Sequence, residues 1–417
     1  MFGVRNTFVV ACLAMLPAAL AAQTAPPPFS YRLVEGQPVD TRPAEKADSV
    51  PAFAGQTRAP YHKSVDVKVA VLTAKLASPW AVAFLPGGNF LVTQRLGSMV
   101  VVSGQGEISA PLAGVPAVAS DGGQGGLLDV ALDPDFSSNH RIFFTYDEPL
   151  GTQSRIAVGR AILDTAAGTL RDVAVIFRSR PAISIALYPT KQGSRIAIGK
   201  DGFLYVSIGD RDSVKLQPPP WPVAQNLDTH LGKIIRITKD GAPAPGNPFA
   251  GTADALPEIW ATGVRSQEGL AFDPKGRLWE TEHGPRGGDE LNLIARGRNY
   301  GWPVISYGVD YPGWVIGDGI TAKTGMEQPR YYWDPVIGPS GLVWYDADLF
   351  PQWKGSLLVG GLRGMLLDRL TIANDKVVAE EPLLTDLHSR IRDVRVGPDG
   401  AVYVLTDTGS LLKLTPG

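Results

Sequence analysis

The 417-residue chain predicts an all-β fold, a six-bladed β-propeller, on three observations. One outline recurs six times: apolar–x–apolar, a turn of D/G-P/K-x-G chemistry, then four to six strand residues. Gly (47) and Pro (35) are abundant, which suits many short strands joined by turns. No stretch carries a sustained 3.6-residue apolar stripe, which argues against an α-solenoid. A β-sandwich would bury its sheets without repeating one motif, and the unequal spacers between copies predict blades with long insertions.

Residues 1–22 read as an export signal: a short n-region with Arg5, an apolar stretch from Phe8 to Leu20, and Ala19-Leu20-Ala21 as a cleavage site. The apolar run is too short and Ala-rich for a membrane span, so no stable membrane anchor is expected. Val9-Val10-Ala11-Cys12 loosely resembles a lipoprotein box, but little apolar sequence precedes it. Cys12 is the single cysteine, so cleavage leaves a chain that needs no disulfide. A periplasmic or secreted protein is the expectation. Residues 23–60 are rich in Pro and Ala with little periodicity, as in a linker or loosely attached arm. Residues 61–417 form the propeller domain. There Val65, Val67, Val69 and Val71 alternate with polar or small residues, the pattern of a half-buried strand.

The copies are PWAVAFLPGGNFLVTQRLGSMVVV (79–102), GLLDVALDPDFSSNHRIFFTYDEP (126–149), GSRIAIGKDGFLYVSIGD (193–210), EGLAFDPKGRLWETEHG (268–284) and IRDVRVGPDGAVYVLTDTGSLLKL (391–414), with a degenerate copy at 339–370. A net charge of −2 without any Lys/Arg run excludes a nucleic-acid partner. The densest chemistry lies at 276–303, GRLWETEHGPRGGDELNLIARGRNYGWP. Its middle, His283 to Glu290, holds three glycines and a proline, which excludes a helix or central strand. Such a loop brings carbonyls close to carboxylates, surroundings that suit a hard cation such as Ca2+; a long turn between strands is the plainer reading.

A propeller gathers loops at one end of a channel. The loops after each second strand, or between blades, carry Gln124, Lys191, Asp210, Arg265, His283–Glu290, Arg363, Arg390 and Arg392. Several arginines on one rim would cage a polyanion, although each could instead be a solvated residue or an inter-blade ion pair. The glycine run 121–126 lacks the strand-to-helix context of a phosphate loop. His62, His140, His230, His283 and His388 show no zinc spacing.

The repeats, with SDGGQGGLLDVALDPDF, THLGKIIRI, the highly specific GPRGGDELN followed by NYGWP, and IRDVRVGPDGAVYVLTD, resemble the soluble quinoprotein glucose/sorbosone dehydrogenase family over about residues 65–415. The likeness is to its periplasmic aldose sugar dehydrogenase branch. The resemblance implies pyrroloquinoline quinone (PQQ) and Ca2+ as cofactors. It implies oxidation of the anomeric hydroxyl of an aldose to a lactone, with electrons passed to an external acceptor. A sugar is the expected small-molecule partner, and the protein is expected to be a monomer or homodimer. By motif, the carbonyls of Gly284 and Pro285 would ligate the quinone's Ca2+. Arg265, Ser266, Arg363, Arg390 and Arg392 fall where the family holds the quinone. Gln124 would face the reaction site, and Glu290 with the Tyr300 backbone matches a second, structural calcium site.

The chain departs from that pattern at several points. Lys191, in LYPTKQGSR, stands where the resemblance places a histidine base; Asp210, near the base in the family, would pair with it. Ser266, Val336 and Gln94 replace an asparagine, a Ser or Thr, and a glutamate. Lys191 could serve as base only if its surroundings depress its pKa. The alternative is a family propeller that has lost quinone redox chemistry, acting as a calcium-assisted hydrolase or lyase or as a non-catalytic binding protein.

Overall fold

The computed structural model describes residues 31, 33–120, 123–187, 190–212 and 223–417. The export signal with Cys12, residues 23–30 and 32 of the arm, Asp121, Gly122 and all but the last residue of the insertion 216–223 lie outside the described residues.

The strands fall into six sheets. β1 (Val67–Thr73) stands apart in sequence from its sheet. Blade 1 is β2 (Pro79–Phe84), β3 (Phe90–Gln94) and β4 (Ser98–Val102). Blade 2 is β5 (Leu127–Leu132), β6 (Arg141–Leu150), β7 (Gln153–Asp164) and β8 (Thr169–Arg178), with β9 (Ile183–Ser184) against β7. Blade 3 is β10 (Gly193–Ile198), β11 (Leu204–Ile208), β12 (Lys233–Ile237) and β13 (Ile259–Thr262). Blade 4 is β14 (Gln267–Phe272), β15 (Leu278–Glu282), β16 (Asp289–Ile294) and β17 (Tyr331–Trp333). Blade 5 is β18 (Pro339–Tyr345), β19 (Ser356–Gly361), β20 (Leu366–Ala373) and β21 (Lys376–Leu383). Blade 6 is β22 (Ile391–Val396), β23 (Val402–Thr406) and β24 (Leu411–Pro416), completed by β1. Each innermost strand packs against that of the next blade, and β22 returns to β2, so the six-bladed propeller is closed. Every repeat read from the sequence opens one blade.

All six innermost strands share one irregularity. Their first residues, Pro79, Leu127, Gly193, Gln267, Pro339 and Ile391, pair with the second strand, and the register then shifts. An extra residue at that point bends the strand and re-aims its side chain. Four of the residues that follow these first positions, Trp80, Leu128, Glu268 and Arg392, line one cavity.

β1 pairs antiparallel with β24, Val67 opposite Pro416. It is the outermost strand of its blade, so its valines do not divide into a buried and a solvent face as their alternation predicts. Val69 is 39% and Val71 61% exposed.

On the axis, Arg195 is 2% exposed and ties four blades together. Its Nε donates to the Glu268 carbonyl at 2.7 Å, Nη1 to Asp393 Oδ1 at 2.9 Å and Nη2 to the Arg392 carbonyl at 3.0 Å. Its guanidinium also lies 4.0 Å from the centre of the Trp80 ring.

The arm expected to be loosely attached is bonded to the propeller. Asp334 accepts the backbone N–H of Glu45 (2.7 Å) and Lys46 (3.1 Å), and Arg58 donates to the Asp334 carbonyl at 2.8 Å. Gln56 donates to the Pro329 carbonyl at 2.9 Å, and the Ala59 N–H to the Tyr331 hydroxyl at 2.9 Å. These tethers are polar and aperiodic, so hydropathy does not display them. Among the described residues no helix is long and apolar enough to cross a membrane.

Candidate functional site

Where the innermost strands begin and the second strands end, a cavity of about 580 Å³ opens. Arg363, Arg390 and Arg392 line it, together with Arg95 and Arg286; Gln124, Gly284 and Pro285 complete the predicted residues on its wall. Arg363 follows β19, and its N–H is held by the Ile337 carbonyl at 2.8 Å. Arg390 and Arg392 flank the start of β22 and share Asp407, with Nε atoms 2.8 Å from its two oxygens. Burial would raise the Asp407 carboxyl, but the two arginines hold it below the ordinary range. Arg95 Nη1 donates to the carbonyls of Gly123 (3.0 Å) and Gly125 (2.9 Å), framing Gln124 between them. Gln124 Oε1 in turn accepts the Lys191 N–H at 2.7 Å.

Opposite, the loop 283–289 is folded tightly on itself. Asp289 stitches it down: Oδ1 accepts the Gly284 N–H at 2.8 Å, and Oδ2 accepts those of Ile337 (2.8 Å) and Gly338 (2.7 Å). Burial pushes the Asp289 carboxyl up to about 7 against these three donors. A side chain at 284 would collide with the carbonyl groups of Gly287 and Gly288, so this turn admits only glycine. His283 Nε2 donates to the Pro339 carbonyl at 2.6 Å, and burial lowers its pKa to about 3, leaving a neutral imidazole. The arm reaches this rim through the Glu45–Arg286 ion pair.

Two predicted cofactor residues lie behind the wall. Arg265 donates through Nη1 to the carbonyls of His283 (2.7 Å) and Gly284 (2.9 Å), its guanidinium 5.0 Å from the Trp302 ring centre. Ser266 is fully buried. Among the described residues neither Arg265 Nε nor Ser266 Oγ has a hydrogen-bond partner.

Lys191 is not a wall residue. It is 6% exposed and its ammonium is paired with Asp212. The expected Lys191–Asp210 pairing is therefore corrected: Asp210 accepts Trp302 Nε1 at 2.7 Å and the Asp212 N–H at 2.9 Å. The chain turns through positive φ at Lys191 (61°), Arg211 (54°) and Asp212 (61°), which exchanges the side chains that would face each other.

Glu290 and Tyr300 line a second, much smaller pocket beside Glu282 and Arg265. In the ladder Glu282 faces Glu290, and Glu280 faces Asn292. Burial raises all three glutamates, Glu290 to about 7. Glu280 Oε1 and Asn292 Oδ1 have no partner among the described residues. Among those residues no three His, Cys, Asp or Glu side chains are arranged to hold a metal ion. A cation here would need backbone carbonyls as further ligands.

Sequence reasoning missed Arg95, Trp80 and Glu268 on the wall. Arg95 directly follows a second strand, a position already singled out in other repeats, and that signal would have found it. Glu268 is aimed by the bulge, which leaves no sequence mark.

Comparison with known proteins bears on the chemistry. The family model described as glucose/sorbosone dehydrogenase matches residues 76–413. The chain is 40% identical over 360 residues to the aldose sugar dehydrogenase YliI of Escherichia coli K12, covering 84% of this chain and 93% of the relative. It is 26% identical over 433 residues to quinoprotein glucose dehydrogenase B of Acinetobacter calcoaceticus, covering 85% and 88%. The PQQ-bound aldose sugar dehydrogenase of Streptomyces coelicolor superimposes with a TM-score of 0.66 at 29% identity, covering 85% of this chain and 99% of that one.

Proposed function

Because the chain belongs to the glucose/sorbosone dehydrogenase family, we propose that it is a periplasmic, PQQ- and calcium-dependent aldose dehydrogenase that oxidises the anomeric hydroxyl of a sugar to a lactone and passes the electrons to an external acceptor. The observation that carries this reading is the cavity's polarity. Arg363, Arg390 and Arg392 gather on a wall that also holds the Gly284-Pro285 turn.

The groups present fit such a cofactor. A polycarboxylate matches the arginine forks, and the backbone carbonyls of Gly284 and Pro285 would hold Ca2+. Glu290 and the Tyr300 carbonyl would hold the second, structural calcium, which would also relieve the buried Glu280–Glu282–Glu290 patch. Bound there, the quinone supplies a two-electron acceptor that the metal makes more electrophilic. The chain's own residues do the rest. Asp407 fixes the forks of Arg390 and Arg392, Asp289 fixes the carbonyl-bearing loop, and Gln124 presents its amide to the substrate side. Arg265 and Ser266 support the floor from behind.

Lys191 has a positioning role in this scheme, holding Asp212 by its ammonium and Gln124 by its N–H. Lys191→Met should remove the ammonium that faces the buried Asp212 carboxylate, lowering stability by about 1–3 kcal/mol in a denaturant titration. Its kcat should fall less than about tenfold, because no proton passes through it. A loss of a thousandfold at unchanged stability would instead make Lys191 the base.

The overall reading is tested by titrating the purified protein with PQQ in Ca2+, then measuring dye reduction with a panel of aldoses. Saturable binding with aldose-dependent reduction is the expected result. No binding, or binding without reduction by any aldose, would overturn it.

A further inference from the structure

Glu268 is the second residue of β14, aimed into the cavity by the shared bulge, and 6% exposed. The wall's other carboxylates are occupied: Glu45 by Arg286, and Asp289 by three backbone N–H groups. The Glu268 carboxylate accepts no hydrogen bond from the described residues. Its nearest cation, Arg392 Nη1, is 3.6 Å from Oε2, and Arg392 is already engaged by Asp407.

A carboxylate in that position opposes any anion that the arginines attract. We propose that Glu268 is a ligand-binding residue that works as the neutral acid, so that a polycarboxylate enters this cavity together with one proton. The proton comes from solvent and stays on the Glu268 carboxyl, whose O–H then donates to the ligand; no other bond is made or broken. The proposal rests on the quinone-binding reading above and adds a proton to it.

Burial already pushes this carboxyl up to about 7, with Arg392, Arg195 and Arg390 opposing the rise and Asp407 adding to it. Asp289 and His283 face the same space, and His283, at about 3, stays neutral across the relevant range. The sign follows. Below about pH 7 Glu268 is protonated before and after binding, and affinity is flat. Above it the free protein has lost the proton that the complex needs, so affinity falls as pH rises, by up to about tenfold per pH unit.

The test is calorimetry of the full chain with PQQ in Ca2+ at pH 6.5 and 8.5, in two buffers of different ionisation enthalpy. Wild type should weaken by about ten- to thirtyfold between these pH values and take up close to one proton at the higher. Glu268→Gln is neutral throughout. It should change less than about threefold and lose that uptake, while Glu268→Asp should retain it. Asp289 is present in every variant, so the difference between them isolates Glu268. Equal uptake and equal pH dependence in wild type and Glu268→Gln would overturn the role of Glu268 and leave the quinone reading standing. Failure of wild type to bind PQQ at either pH would overturn both.

Discussion

Replacing Arg195 by methionine should lower the unfolding free energy by about 3–5 kcal/mol, read as a shift in the denaturant midpoint at unchanged slope. Methionine keeps much of the volume and the contact with Trp80, so the loss is electrostatic. The Glu268 and Arg392 carbonyls lose their donors, and Asp393 Oδ1 loses its 2.9 Å partner. Asp393 and Asp129 keep Arg395, which donates to both at 3.0 and 2.8 Å, so the damage centres on the junction of blades 3, 4 and 6. Arg171→Met is the control, since among the described residues that exposed arginine pairs with Asp164 alone, at 3.4 Å, and its loss should cost under about 0.5 kcal/mol. A loss below about 1 kcal/mol at Arg195 would show that the ring does not depend on its axial arginine.

Gly284→Ala should weaken both Ca2+ and PQQ binding at least about a hundredfold, with a stability loss of only about 1–3 kcal/mol. The added methyl meets the carbonyl groups of Gly287 and Gly288, so the turn must open. Opening moves the two carbonyls assigned to the cation while most of the blade is untouched. Pro285→Ala keeps the carbonyl and should stay within about fivefold of wild type. Calorimetry with Ca2+ alone and then with PQQ separates the two effects. Wild-type affinity in Gly284→Ala would remove this loop from the cation site.

The fold was legible because each blade is a local unit whose turns carry their own chemistry, so the copies announce themselves in sequence. The rim arginines and the Gly284-Pro285 turn were legible for the same reason, as loop residues after recognisable strands. What stayed hidden depends on backbone detail that composition does not record. The bulge decides that Glu268 faces the cavity, and positive φ at Lys191 and Asp212 decides which acid meets the lysine. Arg265 shares its loop character with Arg363, yet the Glu282 carboxylate and the carbonyls of His283 and Gly284 draw it behind the wall. The arm stayed hidden because single polar bonds, each spaced without period, hold it.

The pairing of β1 with β24 also sets an order on the molecule's assembly. Blades 1 to 5 are built from consecutive strands and can form as the chain emerges, whereas the sixth joins Val67 to Pro416 across nearly the whole sequence. Contacts so distant in the chain form late and slowly. Until they do, the ring is not locked, and the arginines at the start of β22 are not held in place against the loop 283–289 that faces them. The cofactor proposed above, if it needs both sides, would be captured best by finished molecules, and its binding would pull the last step of folding to completion.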